Sequence, residues 1–353
     1  MPATDEVRLT YFSRSVVSAL ARQRGLYEAA GLSVTEAPVP SSPAQFAALR
    51  EGRCDLALTS PDNVAAYGLG AANPLGERLD VRILLGVDMG LGLSVLAGPH
   101  ISALGDLAGG LIGVDVPESG FALALFHVLS AAGLERDRDY TVVPLGSTPQ
   151  RRLALQAGKC DATLLNAGHD ILAELAGFRR LLRITDTLAP YLGTVLAATG
   201  PWLDGCGDVA QRFVDAWLAA TRLLLAPGEK DAVQLLLGEL LELPAGGVRA
   251  AYETLVSSRD GLVPDGAVAP AALRTVLDLR VEQAAANGIG GGTSEGTGRG
   301  TSEVTGRGTS GGVGAGTDYS AGAVERSGLV DLRLLAGARP APGRGRSDPA
   351  TGA

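Results

Sequence analysis

Apolar runs of strand length alternate with amphipathic stretches through the first half of the chain. Runs at 7–12, 34–37, 56–58, 81–87 and 93–97 read as strands, several of them too uniformly apolar to have one wet face. Between them, helical periodicity begins near Ser15 and stops at Gly25, covers 43–51 ahead of Gly52, and resumes over 61–66. After Gly98-Pro99 a second unit repeats the scheme, with a short helix over 102–109, a strand at 111–115 and a helix over 119–132. A strand at 140–143, a helix over 149–157 and strands at 162–165 and 181–184 complete it. From Asp208 onward only helical periodicity remains, over 209–225, 230–241, 245–256 and 270–283. This order predicts an α/β protein of two doubly wound lobes, with the C-terminal helices packing back on the first.

One phrase ties the halves together. Leu49-Arg50-Glu51-Gly52-Arg53-Cys54-Asp55 recurs 106 positions later as Leu155-Gln156-Ala157-Gly158-Lys159-Cys160-Asp161. Each copy reads as a helix stopped by glycine, a tight turn and a buried strand. Each strand ends in a polar cluster, Thr59 to Asn63 in one case and Asn166 to Asp170 in the other. Ligands of open α/β sheets bind at that end of the strands, so the repeat implies two similar lobes facing across a cleft.

Composition narrows the function. A formal charge of −8 argues against a nucleic-acid partner, because phosphate binding wants a basic face. The paired basics Arg22/Arg24, Arg151/Arg152 and Arg179/Arg180 read as solvated edges. No apolar stretch reaches the roughly 20 residues that span a bilayer. Three cysteines make no disulfide framework; Cys54 and Cys160 read as buried small hydrophobes and Cys206 as a loop thiol. His100, His127 and His169 lie far apart, so neither a metal nor a cofactor is expected. The N-terminus leads straight into a strand without a basic or apolar leader, which places the chain as written in the cytoplasm. A start further upstream would place it on the periplasmic or extracellular face. A monomer is expected.

Residues 292–307 contain a repeated octad rich in Gly, Thr and Ser. Such composition cannot offset its chain entropy, so disorder is expected over 287–323. An ordered element at 324–338 and a disordered tail at 339–353 follow. Two G-x-S-x-G matches in the repeat lack the strand and helix that a nucleophile elbow requires and carry no chemistry.

The ordered set of motifs resembles a known family. Ala21 to Val34, with Gly25-Leu26-Tyr27-Glu28 and Gly31-Leu32-Ser33-Val34, is similar to a segment of type II periplasmic binding proteins. The nearest branch serves nitrate, taurine, alkanesulfonates and thiamin pyrimidine precursors. Ile101 to Val114, with Asp106-Leu107 and Ile112-Gly113-Val114, resembles its hinge passage, and 195–199 with the following helix fits as well. The resemblance covers roughly 5–286 and 327–336. It implies lobe 1 over 5–96, lobe 2 over 97–190, and a return to lobe 1 with the C-terminal helices over 191–286. Crossovers are expected near 95–100 and 188–196, with a small ligand in the cleft.

What the resemblance implies for the site can be placed residue by residue. Phe12, Ser13 and Arg14 follow the first strand; Ser60, Asp62 and Asn63 follow the third; Asp88 follows the run at 81–87. In lobe 2, Glu118, Ser119 and Gly120 stand at a helix start, Thr148, Asn166, His169 and Asp170 follow later strands, and Tyr191 and Thr194 lie near the return crossover. Ser60 and Ser119 are equally good helix N-caps, and Asp62 and Asp170 suit helix first turns. Asp88 has the strongest case, since a carboxylate after a buried strand needs a partner. Carboxylates outnumber the one evident cation, Arg14, which favours a neutral, heterocyclic or amine-bearing ligand over a simple anion.

Two functions compete. One is a small-molecule-binding protein of the ABC-importer type, with a permease as partner if the chain is exported. The other is a cytosolic enzyme on the same fold, a lyase or a synthase of pyrimidine-precursor type. The residues favour the binder, because no cysteine-rich stretch exists and serines rather than a nucleophilic cysteine follow the first strand.

Overall fold

The structure, a computed structural model, describes residues 4–286 and 317–336. Most of the Gly/Thr/Ser insert, with its octad repeat, and the tail at 339–353 lie outside the described residues.

Ten strands form two five-stranded mixed sheets: β1 (Asp5–Tyr11), β2 (Leu32–Pro38), β3 (Leu56–Thr59), β4 (Val81–Asp88), β5 (Ser94–Ala97), β6 (Leu111–Val114), β7 (Thr141–Pro144), β8 (Ala162–Leu165), β9 (Arg179–Arg183) and β10 (Thr194–Thr199). The sheets run β2-β1-β3-β10-β4 and β7-β6-β8-β5-β9. Each has a parallel trio, β2-β1-β3 or β7-β6-β8, and one strand, β10 or β5, running antiparallel to both its neighbours. That antiparallel strand is in each case the first one after the chain arrives from the other lobe. Central strands β3, β5 and β8 are buried along their whole length, as expected where helices cover both faces of a sheet.

The twin phrase has a structural role. Gly52 and Gly158 adopt left-handed φ of 64° and 67° at the helix ends, a conformation that costs glycine nothing. The aspartates then repeat one another: Asp55 Oδ2 accepts the Arg8 N–H at 2.7 Å, and Asp161 Oδ2 accepts the Leu111 N–H at 2.7 Å. Each carboxylate thereby satisfies a backbone donor of the neighbouring parallel strand, in the middle of β1 and at the start of β6. Cys54 receives the Thr10 hydroxyl at 3.7 Å, while Cys160 packs against Gly113, the position equivalent to Thr10. Burial raises both thiols above their usual pKa.

The first crossing differs from expectation. The run at 93–97 reads as a lobe 1 strand, but Ser94–Ala97 pairs with β8 and β9 in the second sheet. The chain therefore crosses at 89–93 and returns over 184–193. A strand's apolar pattern reports burial and is silent on which sheet buries it.

The helix Gly200–Leu225, bent at Cys206, lies on the first lobe against Val16–Gln23. The later helices reach further. Ala245–Leu255 touches His169–Leu175 of the second lobe, and Pro270–Ala286 packs on both Pro61–Leu69 and Gly120–Ala131. The returning segment 317–336 docks on lobe 1, where Val330 bridges Ile83 at the edge of β4.

Candidate functional site

The C-terminal ends of β1, β3, β6 and β8 face an interlobe cavity of about 120 Å³. Helix starts converge there. Ser15, Ser60 and Ser119 cap the helices that begin at Val16, Pro61 and Gly120, accepting N–H groups of Ser18, Asp62 and Ala122. All three serines and Thr148, the first residue of Thr148–Gln156, line the cavity. Helix N-termini carry partial positive charge and unpaired N–H groups, so this end of the cleft favours an anionic or acceptor group.

The lobes touch at this point. A Cβ built on Gly120 would lie 2.6 Å from Asp62 Cβ and 2.7 Å from Ser60 Oγ, so only glycine allows the two helix starts to meet. Beside that contact Arg280, from the helix Pro270–Ala286, grips Asp62 through Nε–Oδ1 at 2.6 Å and Nη2–Oδ2 at 2.5 Å. The same Nη2 donates to the Glu118 carbonyl of lobe 2 at 2.8 Å. Asp62 is fully buried, and the paired geometry is what makes that burial tolerable.

Phe12, Ser13, Arg14, Ser60, Asn63, Asp88, Ser119, Gly120, Asn166 and Thr194 all line the cavity. Asn63 Nδ2 donates to Thr59 Oγ1 at 3.1 Å, and Asn166 Nδ2 donates to the Gly90 carbonyl at 3.0 Å. Ser13 Oγ is buried and has no protein partner. Four other expected residues lie off the cavity wall. Asp62 spends its charge on Arg280 and on the helix start. Glu118 presents its backbone to Arg280 and its side chain to a separate depression. His169 accepts from Arg152 Nε at 3.3 Å; burial, with Arg152 and Arg151 nearby, lowers its pKa to about 4. Tyr191 is wholly buried in the hydrophobic core.

Two charged groups define the electrostatics. Asp88 is 1% exposed and lines the cavity. Its Oδ1 accepts the Gly90 N–H at 2.8 Å, it is held also by Thr194, and burial raises its pKa to about 6. No basic side chain pairs with it among the described residues. Arg151 also lines the cavity and is 3% exposed, which corrects the expectation of a solvated helix edge. Its neighbour Arg152 does face outward, because adjacent helical residues point about 100° apart. Arg151 bonds the carbonyls of Gly146 and Leu164 and the Thr148 hydroxyl, and desolvation lowers its pKa. Asp115 stands close enough to act on it electrostatically but is itself bonded to Ser119 Oγ.

Other wall residues were invisible in the sequence. Leu237, Leu240, Leu241, Thr254, Leu255 and Leu262, from the C-terminal helices and the loop after them, close one side of the cavity with mainly apolar surface. Leu91 and Ala167, both in the wall, hold left-handed φ of 47° and 52° and are joined by an Ala167 N–H to Leu91 carbonyl bond of 3.0 Å. Such backbone costs on the order of 1 kcal/mol or more per residue and gathers at functional sites. Among the described residues no group of His, Cys, Asp or Glu side chains is arranged to hold a metal ion, and no helix is long and apolar enough to cross a membrane.

The sequence profile of the NMT1-like family matches residues 5–237, about two thirds of the chain, and the chain belongs to that family. No curated protein sequence matches it. Among solved structures, the chain is similar to the alkanesulfonate-binding protein SsuA from Xanthomonas axonopodis pv. citri bound to MOPS. That likeness has a TM-score of 0.64 at 22% identity, over 80% of this chain and 93% of that one. The periplasmic nitrate-binding protein NrtA from Synechocystis PCC 6803 gives 0.60 at 14% identity, over 69% of each chain. The desulfurization enzyme DSZB gives 0.57 at 16% identity, over 80% of this chain and 92% of the other. The fold is thus that of the type II periplasmic binding proteins.

Proposed function

We propose that this member of the NMT1-like family is a small-molecule-binding protein of the ABC-importer substrate-binding type, whose two lobes close on a small polar or heterocyclic ligand. The observation that carries the reading is the interlobe cavity. Both lobes and the C-terminal helices contribute to its wall, and its polar groups sit at strand ends and helix starts. The fold neighbours that bind alkanesulfonate and nitrate support it. For an exported chain the partner is a membrane permease, which would receive the ligand as the lobes reopen.

The test is a thermal-shift screen of the purified protein against amines, pyrimidines, sulfonates and fractionated metabolite extract, followed by mass spectrometry of each stabilising fraction. A compound recovered unchanged after prolonged incubation supports the binder. A compound that is converted overturns it in favour of an enzyme on this fold, a precedent that DSZB supplies.

A further inference from the structure

We infer that the cleft takes a dipolar ligand, one that presents a cationic nitrogen to Asp88 and an anionic or strongly accepting group to Arg151. The inference rests on the binding reading above and adds the ligand's charge pattern to it.

Buried charges are ordinarily paired, because an isolated ion in a low-dielectric interior costs several kcal/mol. Asp62, Asp170 and Asp260 obey the rule, while Asp115, in the same wall and near enough to Arg151 to act on it, forms no ion pair among the described residues and is bonded to Ser119 Oγ instead. Asp62 has Arg280, Asp170 has Arg180 at 3.0 Å, and Asp260 has Arg183 at 3.2 Å. Asp88 and Arg151 depart from it. Neither forms an ion pair among the described residues, and both face the same cavity.

Their hydrogen bonding leaves capacity on each side. A carboxylate offers about four acceptor sites, and among the described residues Asp88 accepts only from the Gly90 N–H and from the hydroxyl and N–H of Thr194, all uncharged donors. A guanidinium offers five N–H groups. Those of Arg151 go to Leu164 from Nε and Nη2, to Thr148 from Nη2 and to Gly146 from Nη1, so one Nη1 hydrogen remains. Ser13 Oγ, buried in the same wall without a partner, supplies one further polar contact. A ligand of one sign would satisfy one of the two charges and leave the other buried and unpaired. A molecule carrying both signs satisfies both.

The wild-type protein is titrated calorimetrically with the α-amino acids and with straight-chain ω-amino acids of two to six carbons. Each compound is matched by the carboxylic acid and the primary amine of the same length. The expected result is at least one zwitterion that binds tenfold or more tighter than both of its single-charge counterparts. For that zwitterion, Asp88→Asn and Arg151→Lys, each checked for native circular dichroism, weaken binding by tenfold or more. The inference is overturned if an acid or an amine binds as well as its zwitterion, or if Asp88→Asn binds the zwitterion unchanged. It is also overturned if no zwitterion in the series binds. The general binding reading survives these failures and stands or falls on the metabolite-extract screen, which assumes nothing about ligand charge.

Discussion

Replacing Asp88 with asparagine should stabilise the unliganded protein at neutral pH. The side chain is buried against uncharged partners, and its pKa rises from the usual 3.8 to about 6. That difference corresponds to about 3 kcal/mol between its charged and neutral forms. The folded value lies above the unfolded one, so the fold holds this proton more tightly than the open chain does. The favourable contribution is complete below about pH 4, declines as the unfolded chain ionises first, and is lost once pH passes about 6. At pH 7.5 the native protein therefore carries the penalty in full. Asparagine keeps an oxygen for the Gly90 N–H and removes the charge. Its new amide hydrogens need acceptors, which offsets about 1 kcal/mol of the gain.

The net expectation for Asp88→Asn is a gain of about 2 kcal/mol at pH 7.5, shrinking to well under 1 kcal/mol at pH 5. Urea unfolding of both proteins at the two pH values measures it, with m-values compared so that only a midpoint shift counts. Asp170 is also raised to about 6 and His169 is lowered to about 4, so both titrate near this window. They are present in wild type and variant alike, and the difference between the two isolates Asp88. A variant less stable than wild type at pH 7.5, or one stabilised equally at both pH values, would refute the reasoning. A gain in stability joined to a loss of binding is the trade expected of a group kept for its ligand.

Three further outcomes follow from contacts described above. Asp62→Ala leaves the Arg280 guanidinium buried and unpaired and should destabilise the protein by about 3–5 kcal/mol; the double change Asp62→Leu/Arg280→Met should recover most of that loss in the same urea assay. Gly120→Val puts side-chain atoms where Asp62 and Ser60 already stand, so small-angle scattering should report a larger radius of gyration with circular dichroism unchanged. Asp55→Ala orphans the part-buried Arg8 N–H and should cost roughly 1–3 kcal/mol by chemical unfolding, while Asp161→Ala, whose partner Leu111 N–H water can reach, should cost about 0.5–1 kcal/mol. A zero effect at either site would remove the shared role assigned to the repeated phrase.

The sequence makes the frame of this site readable and hides its charge balance, for a physical reason that particular residues expose. Strand ends are legible because a buried strand is a short apolar run bounded by glycine and polar residues. Phe12 to Arg14, Ser60, Asn63, Asp88 and Asn166, which the family resemblance implied for the site, stand at or just beyond such strand ends and line the cavity. The repeated Gly-basic-Cys-Asp phrase works the same way, since a helix stop followed by a strand is a local event. Charge pairing is a long-range event. Asp62 stands directly after a strand like the others, yet its partner Arg280 lies 218 positions away and withdraws it from the cavity wall. Arg151 and Arg152 are adjacent and chemically identical, and only the packing of their helix on β8 sends one inward. Counting carboxylates against Arg14 alone thus gave an acidic rim, whereas the folded wall also holds a second base, the buried Arg151, which no ion pair among the described residues neutralises. The amine-bearing ligand suggested by that count keeps its nitrogen opposite Asp88. It gains an acidic end opposite Arg151, because only such a molecule leaves neither charge buried alone.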